Sequence, residues 1–339
     1  MRTPLRRVLA AATAAALLLT AAACGGDDDA KAGGKPSKIV IGYQQIPNGD
    51  LVVKHNKWLE QAFGDGTTIE WKLFDSGGSV NEAIQAGSVD IGLVGSSPAS
   101  RGISSGIKYR VPWIFDVIGK AEALAVKGGV TDIQSLKGKT IATPFASTSH
   151  YSLLAALQEA GLDGKSVKVI DSEPDAILAA WKRGDIDGAY VWNPVLAKLL
   201  ADGGTTLVTS ADLASKGKTT YDLAVVTDDF ADKYPDAVKT WVAQQDKAVK
   251  LIKSDADAAA TAIAAELQIS PADAKAQMGD LIFVDAADQA GDEYLGKGLP
   301  DNLFATAKFN KDVGQITTVR EQKSYTDAVD ATFAKSVPQ

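Results

Sequence analysis

The sequence predicts an α/β protein built as two similar lobes. Three observations lead there: short strands alternate with helices from residue 38 onward, one supersecondary unit recurs about 96 residues later, and the chain has 339 residues. That length exceeds the size at which one hydrophobic core usually keeps growing, and strand–helix alternation is the signature of sheets covered by helices. The composition, 45% hydrophobic and 23% charged, is that of an ordinary folded protein.

The elements follow in order. Lys38 to Tyr43 (KIVIGY) is a short apolar run giving way to the turn-rich stretch 44–49, hence a strand and then a loop. Leu51 to Phe63 has apolar residues at helical spacing and reads as one helix; Thr68 to Phe74 (TIEWKLF) alternates with period two and reads as a strand. Asp75-Ser76-Gly77-Gly78-Ser79 opens the next helix, where Ser79 and Glu82 have capping-box spacing. After Gly87, SVDIGLVG returns as a strand. Ser96-Ser97-Pro98 then suits an N-cap followed by Pro at the first helical position.

The same unit reappears. AAWKRGDIDGAYVWNP at 179–194 matches AIQAGSVDIGLVGSSP at 83–98 with one gap, pairing Gly87 with Gly184, Val89 with Ile186, Asp90 with Asp187 and Pro98 with Pro194. Two apolar runs of hinge length, EALAVK at 122–127 and DLAVVT at 222–227, are expected to carry the crossovers. Residues 37–124 plus 225–339 then form one lobe and 125–224 the other. From Pro235 the chain is alanine-rich and helical, punctuated by Pro235, Pro271 and Pro300.

The N-terminus stands apart. Arg2, Arg6 and Arg7 lead into an alanine-rich apolar run of about 16 residues and then Ala21-Ala22-Ala23, which makes 1–23 an export signal too short to span a membrane. Cys24, the only cysteine, sits at the cleavage point and resembles a bacterial lipoprotein box, with Ala21 in place of the usual Leu. Lipidated Cys24 and the Gly/Asp/Lys stretch to residue 36 then form an anchor and flexible tether. With a single cysteine, neither a disulfide nor a cysteine zinc site can form. Without the three signal arginines, the 35 basic side chains fall to 32 against 42 acidic ones, an acidic balance that argues against a nucleic-acid partner.

The loops at the strand ends carry the chemistry. In open α/β sheets ligands bind beyond the carboxyl ends of the strands, and 44–50, 75–79, 95–98 and 145–152 are loops of that kind. Three of these four are rich in hydroxyls. Helix N-termini supply free N–H groups and partial positive charge, so Ser96, Ser97, Ser147, Thr148 and Ser149 are candidates for binding a carboxylate, sulfonate, sulfate or phosphate; plain helix capping is the alternative. His150 beside this run invites a Ser/His hydrolase reading, but no G-x-S-x-G elbow or orienting acid accompanies it, and it is read as a donor to an anion or as a cap. His55 has a packing or surface role. No H-E-x-x-H, EF-hand, Walker or G-x-G-x-x-G pattern occurs, so neither metal nor cofactor is expected. Trp192 ends a strand as a candidate ligand wall, and Glu122 and Asp222 are carboxylates at the presumed crossovers. Together with an anion seat they could hold a zwitterion.

The stretches FDSGGSVNEAIQAGSVDIGLVGSSP, FASTSHYSLLAAL and AAWKRGDIDGAYVWNP resemble the solute-binding proteins of taurine and alkanesulfonate ABC importers. The first stretch is shared with nitrate and thiamine-precursor binders. STSHYSLLAAL together with WKRGDIDGAYVW is specific to the taurine branch. The resemblance runs through most of 38–230 and weakens in the C-terminal helices.

It implies a type II periplasmic-binding-protein fold that closes on a sulfonate between its lobes. The pocket it implies is ringed by Gln44, Ser96, Ser97, Ser147, Thr148, Ser149, His150, Trp192 and Asp222, with Asp222 as partner of a taurine ammonium and Glu122 as a weaker carry-over. QQIPNGD in the first loop departs from the family pattern. The expectation is a monomeric, non-enzymatic lipoprotein on the outer face of the cell membrane, delivering its ligand to a permease and its ATPase. The alternatives are another small organic anion or zwitterion and, further off, a secreted hydrolase.

Overall fold

In a computed structural model, which describes residues 34–163 and 165–338, the strand–helix alternation resolves into two mixed sheets. The signal segment and Cys24 lie outside the described residues. The strands are β1 (Lys38–Tyr43), β2 (Thr68–Leu73), β3 (Ile91–Gly95), β4 (Tyr109–Ile118), β5 (Glu122–Val126), β6 (Thr140–Thr143), β7 (Lys168–Asp171), β8 (Gly188–Trp192), β9 (Thr205–Thr209), β10 (Tyr221–Thr227) and β11 (Leu281–Ile282). The first sheet has the order β11-β4-β10-β3-β1-β2 and the second β7-β6-β8-β5-β9.

Apart from β11 the two orders are the same. Each sheet has three parallel strands, the first to appear lying between the next two (β2-β1-β3 and β7-β6-β8). An antiparallel strand, β10 or β5, follows, and then the last neighbour, β4 or β9.

The repeat read from the sequence has the same geometry in both copies. Gly87 and Gly184 both take positive φ, 67° and 82°, the left-handed turn that ends a helix without a Cβ clash. Asp90 and Asp187 then each accept the N–H of a residue at the start of the neighbouring parallel strand, Val40 at 2.7 Å and Thr140 at 2.8 Å. An acid at this position is a strand-to-strand clamp, and its chemistry is structural.

Period-two burial places apolar side chains on both faces of each sheet. Ile39, Ile41, Leu93, Ala224 and Val226 enter one core, while Val94, Leu223 and Val225 enter another on the opposite face. In the second sheet Leu124 and Val126 face one core and Ala123 and Ala125 the other. At roughly 1.5–3 kcal/mol per fully buried large apolar side chain, these layers hold the sheets. Trp241, from the long C-terminal helix Pro235–Ser254, packs edge-on against Phe115 of β4 with ring centroids 5.8 Å apart.

Several boundaries differ from the sequence reading. The helix expected over 51–63 is two, Gly49–His55 and Trp58–Phe63. Asn56 donates its side-chain amide to the Val52 carbonyl at 2.8 Å, and Lys57 turns left-handed at φ 54°. The capping box uses Ser76 and Ser79, three residues earlier than Ser79 and Glu82. Gly95, not Ser97, is the N-cap of helix Ser96–Ser105; the Ser96 hydroxyl accepts the Tyr221 N–H at 3.2 Å and the Ser97 hydroxyl accepts from Asn310. Sheet membership changes between Ile118 and Glu122 and between Thr209 and Tyr221. The divisions expected at 124 and 225 therefore fall inside β5 and β10, each of which lies wholly in one sheet.

Candidate functional site

Between the two sheets lies a narrow cleft lined by residues of both. Gln44, Glu122, Ser147, Thr148, Trp192 and Asp222 line it; Ser96, Ser97, Ser149 and His150 do not.

One wall is made of helix starts. Gly77 opens the helix Gly77–Gln85, Gly95 caps Ser96–Ser105, and Ser147 caps Thr148–Glu159; all three line the cleft. The first N–H groups of a helix have no partner within it, so three partial positive charges converge on one space. The helices meet closely. A Cβ on Gly95 would lie 2.5 Å from Thr148 Cγ2, and one on Gly77 would lie 2.8 Å from Pro98 Cγ. Gly95 has an ordinary φ of −72°, so the need for glycine there is a matter of space.

Beside these helix starts the cleft is acidic. On β10, Asp222 stands across from Asp116 of β4 on one side and from Gly95 of β3 on the other. Opposed residues on antiparallel strands share a face and lie within reach of each other, and the Asp116 and Asp222 carboxyls interact directly. Asp116 is fully buried; Asn48 donates to its Oδ2 at 3.1 Å, while its Oδ1 meets no donor. Burial, and then the neighbouring carboxylates, drives Asp222 well above the usual carboxylate range, and burial raises Asp116 as well. In the second sheet Glu122 stands across from Trp192 of β8.

The hydroxyls of the PFASTSHYS stretch turn out to have a partner within the chain. Thr148 and Ser149 donate to Glu122 Oε2 at 2.6 and 2.9 Å; Ser210 and Ser152 donate to Oε1 at 2.6 and 3.3 Å. Burial raises the Glu122 pKa, and the four hydroxyls oppose the rise. The Ser147 hydroxyl donates to the Pro144 carbonyl at 2.6 Å and accepts the His150 N–H at 3.1 Å. What this helix start presents to an external oxyanion is therefore backbone N–H.

Ser97 accepts from Asn310 at 3.3 Å, and Gln44 is held by a bond from its amide nitrogen to the Leu93 carbonyl at 2.9 Å.

His150 corrects an expectation. Its ring stacks on Phe145 with centroids 4.3 Å apart, and its Nδ1 accepts the Ala146 N–H at 3.3 Å. Desolvation, and then the positive charge of Arg101, lowers its pKa to about 4. The imidazole is thus a neutral acceptor that holds Ala146 at a left-handed φ of 62°, and it does not donate into the cleft. Asp116 was not singled out in the sequence, and Asn48, Gly77 and Gly95 fall in loops expected to meet a ligand without having been named as site residues. The signal for Asp116 was present: it is the one carboxylate in the otherwise apolar WIFDVI of β4.

Residues 32–268 match the family model described as NMT1-like family. The chain belongs to the NMT1-like family. Within it, the chain is 44% identical over 176 residues to the taurine-binding periplasmic protein of Escherichia coli, covering 52% of this chain and 55% of that protein. It thus spans about half the length of that relative. It is 31% identical over 234 residues to a putative aliphatic sulfonates-binding protein of Bacillus subtilis, covering 66% of this chain and 68% of that one. Among solved structures, the alkanesulfonate-binding protein SsuA from Xanthomonas axonopodis pv. citri, bound to MOPS, superposes with a TM-score of 0.73 at 21% identity, over 88% of this chain and 98% of that one. This establishes the two-sheet periplasmic-binding fold for this NMT1-like chain, and its relatives in sequence are binding proteins.

Proposed function

We propose that this protein captures taurine or a closely related small aminosulfonate in the cleft and hands it to an ABC permease with its ATPase. The reading rests on one observation: three helix N-termini and the buried Asp222 line the same space, with Asp116 paired behind Asp222. A sulfonate is held by the helix-start N–H groups, and an ammonium by Asp222 and Asp116, with Trp192 as the wall between. Glu122, surrounded by its four hydroxyl donors, orders the helix beginning at Thr148 rather than meeting the ligand first. The sheets serve as cores of two lobes that close around the ligand, and Cys24 carries the lipid anchor that keeps the protein at the outer face of the membrane.

The alternatives use less of this arrangement. A nitrate, or an alkanesulfonate without an amine, leaves the acidic pole without a cation. A Ser/His hydrolase needs a base beside a nucleophile, and His150 Nδ1 is occupied by Ala146. Isothermal calorimetry of the ligand-free protein tests the reading. Taurine is expected to bind in preference to ethanesulfonate, sulfate, phosphate and nitrate. Absence of heat with taurine and every other sulfonate would refute it.

A further inference from the structure

Two carboxyls buried side by side pose an electrostatic problem before any ligand arrives. Asp116 and Asp222 are 0% and 6% exposed and stand directly opposite each other on β4 and β10. Like charges so placed repel, and the low dielectric magnifies the cost. The groups that face them do not relieve it. Glu122 approaches from β5 and adds negative charge; Gly95 on β3 brings no side chain; Asn48, before the helix at Gly49, offers one amide donor to Asp116 Oδ2. Asp116 Oδ1 is buried with no donor at all. A proton held between the two carboxyls answers both problems, removing one charge and supplying the missing hydrogen bond.

We propose that Asp116 and Asp222 share one proton in the empty cleft and release it to solvent when the cationic end of an aminosulfonate enters, so that capture exchanges a proton for an ammonium. The inference rests on the aminosulfonate reading above and adds to it a charge-neutral mode of recognition. No bond of the ligand breaks: the ammonium keeps its own protons and donates to the pair, and the displaced proton goes to the buffer. The charge at this pole is the same before and after. An amine-free sulfonate leaves the proton where it is. The raised pKa values of both groups, caused first by burial, accord with a proton retained near neutral pH. Asp116, which lies behind Asp222, thereby becomes a specificity residue, because it sets the charge of the carboxyl that meets the amine.

Three measurements on the full folded chain test this. Taurine calorimetry in buffers of different ionisation enthalpy at pH 6 is expected to show close to one proton released per ligand, and ethanesulfonate none. Taurine affinity is expected to rise about tenfold per pH unit below the pair's apparent pKa, and this slope is expected to vanish in Asp116→Asn, whose amide is a permanent donor to Asp222.

The infrared spectrum of the unliganded protein at neutral pH is expected to show a protonated carboxyl that Asp116→Asn removes. Taurine binding with identical heat in every buffer overturns the exchange and leaves the aminosulfonate reading intact; failure of taurine to bind overturns both. An Asp116→Asn spectrum that keeps every protonated-carboxyl band of the unliganded wild type overturns the exchange whatever the ligand does.

Discussion

Asp222 has neighbours of opposite character: a carboxyl on β4 and a bare glycine on β3. In the proposed complex the glycine side is where a ligand can lie against the strand, and the carboxyl side is what it pays against in charge. Asp222→Ala is therefore expected to weaken taurine roughly 10- to 100-fold, the worth of a charge-assisted hydrogen bond, while leaving ethanesulfonate unchanged or tighter. Calorimetry with both ligands decides it, and equal losses would assign Asp222 to the fold.

A second buried acid makes a different prediction. Gln245 donates to Asp50 Oδ1 at 2.8 Å, while Asp50 Oδ2 and Gln245 Oε1 both lack partners. A proton on Oδ2 gives both orphans a partner, and burial pushes this carboxyl up to about 7 from 3.8. The folded state then holds a proton that the unfolded state has lost, so this group's contribution to stability is present at acid pH and falls as pH rises through about 4 to 7. Asp50→Asn is expected to flatten that slope, measured as the wild-type-minus-variant difference in urea midpoints from pH 4 to 8. An unchanged difference would show Asp50 to be ionised. Of these buried acids only Asp222 was singled out from sequence: a lone carboxylate in an apolar run signals burial, but which acid will face it depends on strand register.

At the scale of elements, the cleft is shaped by helix starts that touch. Gly95 and Thr148 belong to different sheets' layers, and the Thr148 hydroxyl is tied to Glu122, so Thr148 has little room to turn away. Gly95→Ala is expected to leave the melting temperature within a few degrees yet weaken the ligand at least tenfold, since one methyl keeps the two helix starts apart. Gly128→Ala, where an added Cβ meets nothing within 4 Å, is the matched control. Equal affinity in the two variants would show that this contact is not needed for binding.

The helices were legible in kind from their periodicity and punctuation. Their starts were less so, because a serine such as Ser96 can cap its own helix or a neighbouring strand, and that choice is made by tertiary structure. The hydroxyl-rich stretch before Leu153 and Glu122 were each singled out in the sequence, but that they are partners, with Glu122 26 residues from Thr148, is decided by the fold.

For the whole molecule, the internal repeat was the most informative sequence feature, since it foretold two sheets with one strand order. β11 and the helices after Pro235 were not legible in the same way. Helix Gly298–Asp312 nonetheless reaches the cleft-forming helix, with Phe309 packed edge-on against Tyr151 at 4.7 Å, a contact between segments 158 residues apart in sequence. Cys24→Ala is expected to move the protein from the membrane fraction to the soluble fraction in cell fractionation. Retention in the membrane would count against a lipid anchor.

One detail of the first sheet bears on how the proposed closing motion is organised. Strands β4 and β10 are neighbours, and the Ile118 N–H still donates to the Thr220 carbonyl at 3.0 Å. Everything between them, including the whole second sheet, leaves and returns through a gap one hydrogen bond wide. If the proposed closure occurs, two crossings this close would act like one hinge pin, so the swing would be angular, smallest at the pin and largest at the far edge.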